Sequence, residues 1–388
     1  MFKKLIFIAY LTLASTISKA QQQLKSKYLL QDLDVQLEAN EAIHAMYNFN
    51  FDTAAVRFNS LKSKYSEHPM PYLLFGLMEY WKILVNEENQ AYDQKFLAYM
   101  DSAIQKAEFL LKKEKENIEA HFFLAAAYGF KGRLLSDRKK WTKAAIAGKR
   151  ALEHLQYSKG QNEFSPEFLF GDALYNYYSV WIPENYPVLK PIIALFPKGD
   201  KALGLSQLKE VAYNAFYTRI EALTYLMRLY FVEENDAYAA LPIAKHLHET
   251  FPNNPFFHRY YARICYQLGD AVNTEKLSLE ILKRVKEGFP YYEEVSGRYA
   301  AFFLGYIYRF RYNQWDKAKE YLNLSVEYAE KVNQTNMGFY IYSLLYLAQM
   351  SVKENNLAKA KEYYKKIKET ADKDHPAYKE ARQFLKSM

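Results

Sequence analysis

Residues 341–370 read IYSLLYLAQMSVKENNLAKAKEYYKKIKET, and the spacing within this stretch decides the fold. Leu344, Leu347 and the small Ala348 fall on one helical face, the turn residues Glu354-Asn355-Asn356 follow, and Ala360, Tyr364 and Ile367 resume the same periodicity. Apolar residues three and four apart define one side of a helix. An Asn pair between two such runs marks a stop and a restart. The stretch predicts a helical hairpin, with alanines where the two helices must approach most closely.

The same pattern extends upstream. Phe302, Leu304, Gly305 and Tyr308 lead to Trp315, Ala318 and Leu322 with one extra residue in the turn, and Ala262, Cys265 and Gly269-Asp270 supply a small, an apolar and a turn position. Ala240, Ala244, Leu247 and Pro252 end another unit. In the N-terminal half the periods stretch: Ala54 and Phe58 close a first hairpin, Tyr72, Phe75 and Gly76 open a second, Phe122, Ala125 and Tyr128 a third, and Phe168 and Gly171 a fourth. This period of roughly 35 to 45 residues resembles the tetratricopeptide repeat. The resemblance implies an all-α, right-handed α-solenoid of about eight hairpins between Asp34 and Thr370, grouped as residues 34–180 and 201–371. A last helix within residues 376–388 reads as a cap, with Lys379, Glu380, Arg382, Gln383 and Lys386 as a polar outer face.

Composition agrees with this reading. A chain of 388 residues exceeds the roughly 250–300 at which single cores stop growing, so an array or several domains is required. Only 13 Gly and 12 Pro favour helices over a turn-rich β fold. Met1–Ala20 has the form of a secretory leader: Lys3 and Lys4, an apolar run from Leu5 to Leu13, and the small residues Ser18 and Ala20 at the cleavage-determining positions. Residues 21–33 then form an N-terminal extension that begins Gln21-Gln22-Gln23. Losing the leader removes three lysines and no acid, so the formal charge falls from +8 to +5. That mild, interleaved charge argues against a nucleic-acid partner. No later stretch is apolar for long enough to span a membrane. Cys265 is the only cysteine, which excludes an internal disulfide and a lipid-anchored cysteine after the leader. Export without disulfides predicts a periplasmic or outer-surface location in a Gram-negative bacterium.

One segment departs from the pattern. Residues 181–200, WIPENYPVLKPIIALFPKGD, hold Pro183, Pro187, Pro191 and Pro197, a density that disfavours a continuous helix. The expectation is an irregular apolar clip with one helical turn within residues 188–195. Trp181, Tyr186, Leu189, Ile193 and Phe196 would then plug the inner surface or border a ligand groove. The run Phe196-Pro197-Lys198-Gly199-Asp200-Lys201-Ala202-Leu203-Gly204-Leu205, with Leu208, resembles a segment of the eukaryotic tetratricopeptide family numbered thirty-nine and its fungal inclusion-clearance relative. That resemblance implies an α-solenoid without enzymatic activity. Asp200 reads as a helix N-cap and not as part of a phosphate-binding turn, for the multi-glycine spacing of such a turn is missing.

Chemistry-bearing patterns are sparse. His246 and His248 lie two apart and face different sides of a helix, Cys265 has no cysteine partner, and no GxSxG occurs. No metal, cofactor or catalytic residue is therefore assigned, and the chain is read as a non-enzyme. The aromatic surplus, 36 Tyr and 26 Phe, is the remaining signal. Tyr buries its ring while its hydroxyl stays wet, so most of these rings fill seams between helices and the remainder can serve binding. The candidate contact residues are Trp181, Tyr186, Tyr177, Tyr178, Tyr260 and Arg263. They point to a protein or peptide partner on the concave face. The alternative is a glycan or small molecule on an aromatic platform, resembling exported helical starch-binding proteins.

Overall fold

The computed structural model describes residues 28–158, 160–161, 165–194 and 196–388. The leader expected over residues 1–20, and Gln21 to Gln23 after it, lie outside the described residues. Among the described residues all regular structure is helical and no strand occurs. The helices are α1 Leu33–Tyr47, α2 Phe51–Lys64, α3 Met70–Val85, α4 Asp93–Lys113, α5 Ile118–Asp137, α6 Trp141–Ser158, α7 Leu169–Asn185, α8 Lys201–Asn214, α9 Arg219–Arg228, α10 Ala237–Thr250, α11 Pro255–Gln267, α12 Ala271–Lys286, α13 Glu294–Phe310, α14 Trp315–Lys331, α15 Gly338–Lys353, α16 Leu357–Thr370 and α17 Pro376–Ser387. A π-helical turn, Leu229–Glu233, extends α9. No helix among the described residues is long and apolar enough to cross a membrane.

The chain divides into two compact units. One comprises the residues up to Ala45 with Phe51–Gly76 and Leu97–Thr218, and the other comprises Met46–Asn50, Leu77–Phe96 and Arg219–Met388. In the second unit α9 to α17 each pack against the next helix in sequence, and in the first α5 pairs with α6 and α7 with α8. This neighbour-on-neighbour order is that of a helical repeat, in which each hairpin buries its apolar face against the following one.

Three of the turns inside the hairpins follow a local rule. A residue in the left-handed conformation ends the first helix, and the next residue caps the second. Asn235-Asp236, Gly269-Asp270 and Asn355-Asn356 all do this, with φ of 51°, 74° and 59° at the first position. The side chains of Asp236, Asp270 and Asn356 each accept from the backbone N–H three residues on. Asn and Gly tolerate the left-handed region, and Asp and Asn satisfy an otherwise orphaned helical donor. The small and apolar positions expected from the sequence are core positions: Leu344, Leu347, Ala348, Ala360, Tyr364 and Ile367 are all buried.

Three buried glutamates at the starts of hairpins, Glu119 and Glu221 in the first turn of α5 and α9 and Glu167 in the 3-10 turn Pro166–Phe168 just before α7, form a further repeated feature. In the first unit the Glu119 carboxyl accepts from Leu29 N (3.2 Å) and Leu30 N (2.6 Å). Glu167 accepts from the backbone N–H groups of Phe216, Tyr217 and Thr218 and from the Thr218 hydroxyl, at 2.5–2.9 Å. In the second unit Glu221 accepts from the Tyr47 hydroxyl (3.1 Å) and from Trp81 Nε1 (2.8 Å). Each carboxyl ties a helix start to a segment distant in sequence, a bond that periodicity does not reveal.

Residues 181–200 sit inside the first unit. Helix α7 continues through Pro183 to Asn185, beyond the break expected at Trp181. A 3-10 turn, Pro187–Leu189, and the single turn Lys190–Ile193 follow. Asp200 caps α8 by accepting from Leu203 N at 3.0 Å. Gly199 and Gly204 let α8 lie directly on α7. A Cβ at Gly199 would overlap Ser179 Oγ and stand 2.7 Å from Asn176 O, and one at Gly204 would stand 2.7 Å from Ala173 O and 2.8 Å from Tyr177 N. The Gly-Asp-Lys-Ala-Leu-Gly run is thus a capping and close-packing device.

Candidate functional site

Of the six contact residues expected from sequence, four belong to a ladder on α7 and just after it. Tyr177 meets Tyr178 edge to face at 5.3 Å, Tyr178 meets Trp181 at 5.9 Å, and Trp181 meets Tyr186 at 5.8 Å. Tyr177 is fully buried, which makes it a packing residue and removes it from any contact surface. Tyr178 and Trp181 are half-buried, and Tyr186 is 52% exposed. The other two, Tyr260 and Arg263, share α11 in the second unit, where a larger constellation forms.

Helix α11 starts at Asn254, whose side chain accepts from Phe256 N and Phe257 N, with Pro255 in the first turn, where its missing N–H is harmless. Arg259 and Arg263, four residues apart, share one side of this helix. Arg259 is buried. Its Nη1 donates to Val85 O (3.1 Å) and Ser296 Oγ (3.2 Å), and its Nη2 donates to Leu84 O (3.3 Å). These two carbonyls end α3, where the helix dipole favours a cation. Helix α13 brings Arg298 and Tyr299. The guanidinium carbons of Arg298, Arg259 and Arg263 stand 4.2, 5.8 and 5.8 Å from the centre of the Tyr299 ring, and Arg263 also lies 5.1 Å from Phe231.

Three cations thus converge on one ring. Each pair lies within about 12 Å, where like charges at an effective dielectric near 20 repel by about 1.4 kcal/mol or more. Arg298 is only 3% exposed, and its Nε has no acceptor among the described residues. Burial, and after it the charges of Arg259 and Arg263, hold the Arg298 guanidinium below its ordinary pKa despite the opposing effect of Tyr299. Burial pushes the Tyr299 phenol up, but Arg298, Arg259 and Arg263 together outweigh it and leave the phenol below its usual value.

From this cluster a band of aromatic rings runs along the first helices of successive hairpins. Tyr299 meets Phe339 at 5.1 Å, Tyr306 meets Phe310 at 4.8 Å, Phe310 meets Tyr346 at 5.1 Å, and Tyr342 meets His375 at 5.3 Å. Arg309 stands over Phe310 and Tyr346 at 4.6 and 4.8 Å, while donating to Tyr346 O and Gln349 Oε1. Tyr260, Arg263, Tyr299, Tyr306, Tyr342 and Tyr346 are all half-buried, with part of each side chain in solvent. Burial, then the neighbouring Tyr306, pushes the Tyr346 phenol up to about 12.

The sequence reading named Tyr260 and Arg263 but not Arg259, Arg298, Tyr299 or Arg309 of this cluster. The available signal was helical spacing: Arg259 with Arg263, and Tyr342 with Tyr346, are four apart, and Tyr299 with Tyr306 are seven apart. Among the described residues no group of three or more His, Cys, Asp or Glu side chains is placed to hold a metal. Cys265 is buried in the core, and burial, then Asp270, pushes its thiol up to about 12. The arrangement offers cations, π faces and phenolic hydroxyls in a continuous band, which is the chemistry of recognition. No family model and no curated protein matches this chain, so the reading of the site rests on its own residues.

Proposed function

We propose that the chain is an exported, non-enzymatic helical-repeat scaffold that holds a protein or peptide partner along the first helices α11, α13 and α15. The observation that carries this reading is the continuous arginine–aromatic band, half-buried and running across successive hairpins. An extended chain would lay apolar side chains on rings such as Tyr299, Tyr306 and Tyr346 and anionic groups against Arg263 and Arg298. The leader-like Met1–Ala20 supports export to the periplasm or outer surface of a Gram-negative bacterium.

The test is photo-crosslinking from single positions in the native envelope. A crosslinker replacing Tyr306 or Tyr342 is expected to give a discrete protein adduct. One replacing Tyr238, which is 78% exposed on α10, is expected to give none. Equal labelling from all three positions, or none from any, overturns the reading. The ladder Tyr178–Trp181–Tyr186, with Tyr186 open to solvent, favours a second reading in which a glycan or other small molecule stacks on an aromatic platform. Saturable quenching of Trp181 fluorescence by oligosaccharides, lost in Tyr186→Ala, would establish that alternative.

A further inference from the structure

Among the described residues neither Arg263 nor Arg298 forms a salt bridge with a carboxylate. Arg259 spends its guanidinium on two carbonyls and a serine hydroxyl. Arg298 is nearly completely buried, its Nε has no partner among the described residues, and it meets Tyr299 through the ring face, 4.2 Å from the centre, and a side-chain hydrogen bond. A ring face replaces only part of the hydration a guanidinium loses on burial, and two further arginines beside it worsen the balance. Buried charges are ordinarily paired. Arg263 is half-buried and keeps part of its side chain in solvent.

We propose that Arg263 and Arg298, positioned by Arg259 and walled by Tyr299, bind an oxyanion: a carboxylate or phosphoryl group carried by the partner. The guanidinium fork matches two oxygens of such a group bidentately. An oxyanion there would satisfy the Arg298 donor and relieve the repulsion among the three arginines. The aromatic walls, Phe231 and Tyr299, exclude water from the ion pair and strengthen it. Both groups offer the same paired oxygens, so the donors on the site accept either. This inference rests on the scaffold reading for the origin of the anion, but not for the existence of the site.

The experiment is a thermal-shift titration of the purified chain with inorganic phosphate and, separately, with N-acetylglycine, at ionic strength held constant with chloride. The expected result is a saturable rise in melting temperature. Its midpoint should move to about tenfold higher concentration or beyond in Arg263→Gln and stay in place in Arg382→Gln, a change on the exposed side of α17. Arg263 is half-buried, so its Gln variant should fold, and Arg263→Lys, which keeps the charge without the fork, is expected to fall between. A response to phosphate alone assigns a phosphoryl group, and a response to N-acetylglycine alone assigns a carboxylate. No response to either, or a response unaltered in Arg263→Gln, overturns the site. Crosslinked adducts at Tyr306 that persist in such a chain would leave the scaffold reading standing, and an oxyanion response without adducts would leave the site standing alone.

Discussion

At the scale of single residues, buried acceptors and buried bases set the sharpest expectations. Glu167 satisfies three backbone donors and one hydroxyl from inside the first unit. Truncation orphans all of them, and each buried unsatisfied donor costs about 1–3 kcal/mol. Glu167→Ala is therefore expected to destabilise the chain by about 3 kcal/mol or more, read as a lower denaturant midpoint at unchanged slope. A midpoint within error of the parent would mean that water replaces the carboxyl. His154 makes a pH prediction. Its Nδ1 lies 3.0 Å from Nδ1 of His121, whose Nε2 stands 3.2 Å from Lys115 O. His121 therefore donates to that carbonyl, and His154 donates to His121. Burial first, then His121, lowers His154 to about 4, with Glu153 opposing and Arg150 adding. Tyr157 stacks on His121 at 3.8 Å and Tyr128 on His154 at 6.2 Å, closing the pair in. An unfolded histidine titrates near 6.5. Between those values the unfolded chain holds a proton that the folded chain does not, so stability rises with pH and is lost as pH falls from about 6.5 toward 4. His121, His248 and His258, also lowered chiefly by burial, add slope of the same sign. The melting temperature should fall between pH 7 and pH 5, and His154→Gln should flatten part of that fall. Neither Glu167 nor the histidine pair was legible in sequence, because their partners lie in other helices or loops.

At the scale of elements, the helices and turns are mostly local facts. The Asn355-Asn356 turn was readable because left-handed Asn and capping Asn are local preferences. The end of α7 was not. Pro183 suggested a break, yet the helix runs on to Asn185 before the 3-10 turn begins. Packing of α8 against α7 through Gly199 and Gly204 holds the segment in place, and such tertiary support overrides local propensity. The same contact gives a test. Gly204→Val would drive side-chain carbons into the Ala173 carbonyl and the Tyr177 amide, which are backbone atoms that cannot swing aside. Overpacking of this kind typically costs about 1–3 kcal/mol, so a lowered melting temperature and a weakened α7–α8 seam, visible as faster amide exchange in both helices, are expected. Unaltered exchange would place the seam elsewhere.

At the scale of the whole molecule, stability in an array is a sum over neighbours, and the ends need protection. Helix α17 closes the second unit: Ala377 and Ala381 are fully buried, the Phe384 ring lies 4.5 Å from Tyr364, and Glu380 accepts from the Tyr364 hydroxyl at 2.8 Å. Glu380 thus faces inward and is not part of the polar outer face expected of it. Truncation after Ala371 should bare the apolar side of α15 and α16, so a lower melting temperature and enhanced dye binding to exposed apolar surface are the expected readings. A truncated chain that melts like the parent would show that the cap is dispensable. What the sequence determined by itself is whatever repeats at short range: helix periodicity, the small residues at the seams, the capping turns, and hence an all-helical chain of stacked hairpins. What only the tertiary structure decided is which side chains from different hairpins meet. Arg263 on α11 and Arg298 on α13 share the Tyr299 ring because consecutive hairpins stack, and the aromatic band is continuous for the same reason. Periodicity is set by bonds between residues three and four apart, whereas a site made of like charges is assembled against its own electrostatics and exists only where packing supplies the energy to hold it.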